Sequence, residues 1–361
     1  MPCGSLRQQE RRIIRLLRRA GWLSCLVLTL LAGGCAATAP SIFENVDGPV
    51  WPATGEPPRI RYLGSVSMPE DLQIQQNLLA RIWHYVIGGA ERNLKAPQAV
   101  TVAGDGSLVV ADAGTRTIKV YNRAENRFNI LPDDDHLLQK PVGVAVDSEA
   151  QRIYVSDSAA GLIRFFPLKG PGVSGELGKG QLERPTGLAI SPVTNELLVL
   201  DAKQSALLRY SRGDHTLKGR VGMRGTDPGQ FNHPTDLALN SSGEILVSDA
   251  LNFRVQIFSP AGEFRRAFGK AGDSPGYFSR PKGIAVDSED HIYVVDTLFD
   301  NVQVFDREGQ LLIAFGSAGQ QPGQFWMPAG ISIDKNDRIY VADTYNRRIQ
   351  IFQYLKTAER K

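Results

Sequence analysis

What most constrains this chain is a repeat that begins at a proline. From Pro234 to Phe258 the sequence holds three short apolar runs, Leu237–Leu239, Ile245–Val247 and Val255–Phe258. Ser241-Ser242-Gly243 separates the first two, and Asp249–Arg254 separates the last two. Runs this short, bounded by Gly, Ser, Asn and Asp, are antiparallel strands joined by tight turns. Helix fails because no apolar face at i, i+3, i+4 survives across the turn residues. Related stretches begin at Pro97, Pro141, Pro185, Pro281 and Pro328. Each copy ends its second strand on an aspartate: Asp112, Asp157, Asp201, Asp249, Asp296 and Asp343, at steps of 45, 44, 48, 47 and 47 residues. A fixed period in this range, built only of strands, predicts an all-β fold, a six-bladed β-propeller with one blade per repeat. A parallel β-helix is the rival, but its coils are shorter and need no hairpin turns.

Residues 1–34 stand apart from the repeats. Arg7, Arg11, Arg12, Arg15, Arg18 and Arg19 make a basic leader, followed by an apolar run from Trp22 to Ala32 and then Gly33-Gly34-Cys35. This is the order of a secretory signal peptide, with an apolar stretch too short to span a bilayer comfortably. A transmembrane anchor is the alternative. The ending Leu31-Ala32-Gly33-Gly34-Cys35 resembles the lipobox of bacterial lipoproteins, with Ala32 where that motif prefers Leu. The resemblance implies lipid attachment at Cys35, contact with the membrane through the lipid only, and a place in the bacterial cell envelope. By the same resemblance, the lack of Asp after Cys35 implies the outer membrane, facing the periplasm. Arg11-Arg12 reads as ordinary leader charge, because its surroundings fit twin-arginine export poorly. Residues 35–57, rich in Pro, Ala, Gly and Thr, are expected to form a flexible tether.

The leader also distorts the charge balance. The whole chain carries 41 basic and 38 acidic residues, a net of +3. Without the leader's six Arg and one Glu, 35 basic residues face 37 acidic ones, a net of −2. Nothing there suggests a nucleic-acid partner, which needs a basic face to neutralise phosphates. All three cysteines, Cys3, Cys25 and Cys35, lie at or before position 35. The rest of the chain therefore has neither disulfides nor thiolate metal sites, and burial alone must hold it.

The propeller is expected over residues 58–355. The stretch Arg59–Val66 looks like the end of a blade, because repeats 4 and 5 finish with Phe264–Gly269 and Leu311–Ser317 while repeat 6 stops soon after Phe352. It should complete the last blade and close the ring, which removes two exposed strand edges. Between it and the first repeat, residues 67–89 read as a helical insertion. Ser67-Met68-Pro69-Glu70 has the spacing of a capping box, and Leu72, Leu79, Ile82, Trp83 and Val86 fall on one stripe that Gly88-Gly89 ends. A cover over one face of the ring and a docking helix for a partner are its two candidate roles.

The pattern P-x-G-[IV]-A-V-D, then I-Y-V-x-D, then N-x-R-[IV]-Q-[IV]-F resembles the NHL repeat family of β-propellers. Asp249, Asn252, Arg254 and Gln256 match it in repeat 4, as do Asp343, Asn346, Arg348 and Gln350 in repeat 6. Repeat 5 keeps Asp296 and Gln303, and repeats 1 to 3 keep little beyond Pro and Asp. A residue present in every blade is a poor candidate for a unique catalyst, so the six aspartates are expected to cap the turn between second and third strands. The recurring Gly-x-x-Gly-x-x-Pro-Gly-x-Phe-x-x-Pro, from Gly222, Gly269 and Gly316, is followed by a strand. A phosphate cradle needs a helix N-terminus there. The glycines therefore serve turns, and the Phe should plug between blades.

Function is sought where the copies differ. The residues just before each proline are Ala96, Lys140, Arg184, His233, Arg280 and Met327, and they should ring one mouth of the central channel. Lys140, Arg184, His233 and Arg280 make that mouth a candidate site for an anionic ligand, against the plainer expectation of solvated loop charges. The implied role is a binding or scaffolding module for an envelope protein or a small anionic ligand, with no cofactor. The alternative comes from resemblance to metal-dependent propellers, the gluconolactonase group and the peptidyl-hydroxyglycine amidating lyase, which Pro234–Ala238 resembles. That resemblance implies Zn or Ca, with histidines as zinc ligands. The five histidines are His84, His136, His215, His233 and His291, and their repeat positions do not converge. No Ser-His-Asp or Cys-His arrangement can be assembled either.

Overall fold

The computed structural model describes residues 48–75, 91–132 and 137–356. Six four-stranded antiparallel sheets follow one another along the chain, and the last gains a fifth strand. The innermost strands are Pro97–Val102, Pro141–Asp147, Pro185–Ser191, Pro234–Leu239, Pro281–Val286 and Pro328–Ile333. Each neighbours the next, and the sixth neighbours the first, so the sheets stand as blades around a channel. The six-bladed propeller read from the repeat spacing is the observed fold.

Burial explains why the blades stay together. Second strands such as Leu108–Asp112 and Ile245–Asp249 are buried at every residue, because blades cover both their faces. The core is accordingly divided into clusters that join consecutive blades. One of them brings Leu246, Val255 and Ile257 of blade 4 against Ile284, Ile292 and Val294 of blade 5. Phe231, Phe278 and Phe325 are fully buried plugs in these seams, each with its ring centroid within 5.8 Å of a strand phenylalanine. Gly269 makes room for its plug: its φ is +91° and a side chain there would strike the Phe278 ring.

The ring closes through the N-terminal strand. Ile60–Val66 pairs antiparallel with Arg348–Tyr354, Ile60 opposite Tyr354 and Val66 opposite Ile349. The expected flexible tether over 35–57 is corrected at its C-terminal end. Val50–Trp51 pairs with the closing strand, and the Trp51 ring lies 5.7 Å from Phe315 and 5.9 Å from Phe352. A large apolar ring beside an open seam gains more by docking than by staying in water.

The start of the insertion also differs from expectation. Pro69–Leu72 is a single 3₁₀ turn, ended by Gln73 in a left-handed conformation at φ 58°. Asp71, and not Glu70, accepts the N–H groups of Ser67 and Met68, at 2.7 and 3.0 Å. The expected helix positions Leu79, Ile82, Trp83 and Val86 lie outside the described residues, as does Cys35. Among the described residues no helix is long and apolar enough to cross a membrane.

Candidate functional site

Antiparallel pairing sets each repeat's first proline opposite its aspartate, so both lie at one rim of the ring. In blades 1, 2, 3 and 5 the carboxylates cap the following turn, as the sequence predicts, accepting the N–H groups of Gly114, Ala160, Lys203 and Leu298 among others. They also reach back to the loop leading into the innermost strand. Asp157 accepts the N–H groups of Gln139 and Lys140 at 2.8 and 2.9 Å, and Asp201 those of Glu183 and Arg184 at 2.6 and 3.0 Å. Asp296 holds Ser279 and Arg280 at 2.7 and 3.0 Å. The aspartates therefore fix the backbone of the residues that form the mouth.

Blades 4 and 6 do this differently. Asp249 accepts only the Asn232 N–H of its leading loop, at 2.7 Å, and the next residue, His233, has a left-handed φ of 57°. Asn252, Arg254 and Gln256 instead converge on Asp249 Oδ2 at 2.8, 3.0 and 3.0 Å. Asn346, Arg348 and Gln350 repeat that arrangement on Asp343 at 2.9, 2.8 and 2.9 Å. The polar residues that define the repeat are thus structural. Blade 1 departs from them: Lys119 stands where Gln256 stands in blade 4, and its Nζ lies 2.8 Å from Asp112 with both side chains inaccessible to water. Burial raises the Asp112 pKa, while the Lys119 charge and the Ala96 and Lys95 N–H groups lower it, leaving it below the usual value.

Lys140, Arg184, His233 and Arg280 come together. They line one cavity of about 520 Å³ at the channel rim, with Gln98, Thr186, Thr235 and Lys282. Ala96 and Met327, the other two residues that precede a repeat proline, are not part of this lining. Among the described residues, Lys140, Arg184 and Arg280 form no side-chain hydrogen bond or ion pair. His233 differs from them, because partial burial and the charges of Arg184 and Arg280 push its pKa below the ordinary imidazole value. At neutral pH it therefore contributes a polar ring and no charge.

Beneath the rim the cavity opens into the channel, about 200 Å³, with Gln98, Val142, Thr235 and Lys282 shared by both. Two channel residues were missed by sequence reasoning. Lys282 Nζ donates across the channel to Gln98 Oε1 at 3.0 Å. Burial pushes its pKa down to about 8, against the pull of Asp236. Asp236 lies beyond ion-pair distance of Lys282 and accepts the N–H groups of Leu237 and Ile284 at 3.0 and 3.3 Å. Burial pushes its pKa up to about 7. The signal was present in the repeat: Asp236 occupies the position held by Gly143, Gly187, Gly283 and Gly330 in other blades. That position is crowded, since a Cβ at Gly330 would lie 2.7 Å from the Gln98 carbonyl oxygen.

The remaining histidines lie elsewhere. His215 meets the Tyr154 hydroxyl at 3.0 Å and His291 meets Asp287 at 2.9 Å, both in hairpins at the opposite rim, while His84 and His136 lie outside the described residues. Among the described residues, no group of three or more His, Cys, Asp or Glu side chains is placed to hold a metal ion.

Six blades in this order, two of them with an Asp–Asn–Arg–Gln cluster, define the class. The chain is a six-bladed β-propeller carrying NHL repeats, and residues 231–258, 278–305 and 325–352 match the NHL repeat family. In sequence it is similar to the E3 ubiquitin-protein ligase TRIM32 of Homo sapiens, 43% identical over 51 residues, which is 13% of this chain and 8% of that protein. The chain thus spans less than a tenth of that relative. In structure it is similar to virginiamycin B lyase from Staphylococcus aureus, with a TM-score of 0.54 and 15% identity over 72% of this chain and 96% of that one. It is also similar to an auxiliary nutrient binding protein from Bacteroides thetaiotaomicron, with a TM-score of 0.59 and 12% identity over 73% and 70%. At these identities the likeness is one of fold.

Proposed function

We propose that this propeller is a binding module of the bacterial envelope, lipid-anchored at Cys35, which takes the anionic group of a small ligand or protein partner at its mouth. One observation carries the reading: Lys140, Arg184 and Arg280, from three blades, line one cavity without counter-charges of their own. Their backbones are fixed by Asp157, Asp201 and Asp296, so only the side chains remain to be ordered when an anion arrives. A concave mouth of one sign also focuses potential toward an incoming anion, although the body outside the leader has a net charge of −2. The fold neighbours include a nutrient-binding protein, which is consistent with such a role.

The test is calorimetric titration with succinate and with inorganic phosphate at low and physiological salt. Arg184→Gln with Arg280→Gln should weaken binding about tenfold at low salt and less at high salt, where the Debye length shrinks to about 8 Å. Circular dichroism should remain that of the parent. Anion affinity that is unchanged in the double variant would refute the reading.

A further inference from the structure

A second surface borders the cationic mouth. Leu251, Leu298 and Tyr345 each stand two residues after the repeat aspartate, in blades 4, 5 and 6. They are 42%, 50% and 57% exposed, and Trp326, beside Tyr345, is 47% exposed. Blades 1 to 3 carry Gly114, Ala159 and Lys203 at that position, so the bulky apolar groups are confined to half of the rim. An isolated exposed leucine is ordinary, whereas a run of large apolar groups on adjacent blades marks an interaction site.

These residues sit on fixed backbone. The N–H of Leu251 donates to Asn232 O, that of Leu298 to Asp296 and that of Tyr345 to Trp326 O, while the Trp326 N–H donates to Asp343 at 2.8 Å. Asp300, in the Leu298 turn, accepts the N–H of Met327, which ties blade 5 to the Trp326 loop at 2.7 Å. The Trp326 and Tyr345 rings brace each other, with centroids 5.5 Å apart. The apolar arc also runs alongside the cations: Thr297, next to Leu298, donates to Arg280 O.

The geometry points to a docking surface for an acidic protein segment that also carries bulky apolar side chains. Its carboxylates face Lys140, Arg184 and Arg280, and its apolar groups cover Leu251, Leu298, Trp326 and Tyr345. The acidic half rests on the anion-binding reading of the mouth, and the apolar half rests on the arc alone. Unpartnered cations select an acidic partner by charge complementarity, and aromatic anchors next to arginine are where interface energy concentrates. Single-stranded nucleic acid fits less well. Leu251 and Leu298 offer no stacking platform, the two aromatic rings lean on each other, and the body outside the leader is net acidic.

The experiment uses the full-length protein in detergent and three fluorescent peptides of equal length. One carries Glu with Leu and Phe, one Glu with Ser and Gly, and one Lys with Leu and Phe. A labelled oligouridylate is the fourth probe. Anisotropy should show the first peptide binding about tenfold tighter than the second, with the third not binding. Trp326→Ala with Tyr345→Ala should erase that tenfold difference and leave the second peptide unaffected. Arg184→Gln with Arg280→Gln should weaken both acidic peptides. Equal affinity for the two acidic peptides overturns the apolar half and spares the mouth. Insensitivity of both to the arginine changes overturns the anion-binding reading itself. Tighter binding of the oligouridylate, or self-association in sedimentation that the aromatic changes abolish, assigns the surface to nucleic acid or to a second copy and overturns the proposal.

Discussion

Replacing Lys119 tests how blade 1 manages without the glutamine of repeats 4, 5 and 6. In Lys119→Met, Asp112 keeps the N–H groups of Lys95, Ala96 and Gly114 at 2.9, 2.9 and 3.0 Å but loses the Lys119 counter-charge. Breaking a buried pair by removing one partner destabilises by about 3–5 kcal/mol. The three retained hydrogen bonds place this case at the lower end, about 3 kcal/mol. The Asn93 carbonyl also loses the Nζ donor it has at 2.6 Å, which loosens the chain leading into blade 1. Lys119→Gln is the informative companion. Gln256 and Gln350 donate to Asp249 and Asp343 from the equivalent position, at 3.0 and 2.9 Å, so glutamine should restore the hydrogen bond without the charge. Its expected cost is about 1 kcal/mol, one net hydrogen-bond difference. Urea unfolding followed by tryptophan fluorescence measures both, and unchanged m-values show that stability alone has moved. A methionine variant as stable as the parent, or a glutamine variant as weak as the methionine one, would show that the pair does not stabilise the blade in this way.

Three further outcomes are expected. Deleting residues 59–66 should leave Arg348–Tyr354 as a bare edge and yield insoluble protein, whereas Trp51→Ala should remain soluble and lose about 1–2 kcal/mol, as a half-buried ring removed from Phe315 and Phe352. Cys35→Ala should move the protein from the membrane to the soluble fraction; retention in the membrane would identify the leader as a transmembrane anchor. Anion binding at the mouth should strengthen as pH falls from 9 to 6, in an upper part where Lys282, with its pKa lowered to about 8, gains its charge, and in a lower part where Asp236, with its pKa raised to about 7, loses the negative charge beneath the cations. Asp236→Asn should flatten that part of the profile, and a profile that stays steep would exclude Asp236 as its source.

The strand order and the ring closure were legible because both are written in period-two patterning and in repeated turn residues. Pro and Asp recur at one spacing, and the closing strand resembles Phe264–Phe268 and Leu311–Phe315 closely enough to be matched to its blade. The mouth cations were legible for the same reason, since a position in the repeat is a position in space. What escaped were contacts that depend on a single blade's departure from the pattern. Asp236 replaces a glycine and Lys282 replaces a small or uncharged residue, and their burial follows from the channel's narrowness, which periodicity does not encode. The Asp71 cap was missed because the left-handed Gln73 ends the turn before a helix can continue. The second role of the repeat aspartates was missed because their partners lie 16 to 18 residues upstream, beyond the turn that sequence inspects.

The seam between Ile60–Val66 and Arg348–Tyr354 also makes assembly order-dependent. Almost the whole propeller lies between the two strands, so every inner blade can pair locally while the first strand waits for the last. A nascent chain that stops before Arg348 leaves Ile60–Val66 without its partner and Arg338–Asp343 as a bare edge, whatever the quality of its other blades. Closure therefore inspects the chain for completeness, and only a product carrying both termini is freed of its adhesive edges.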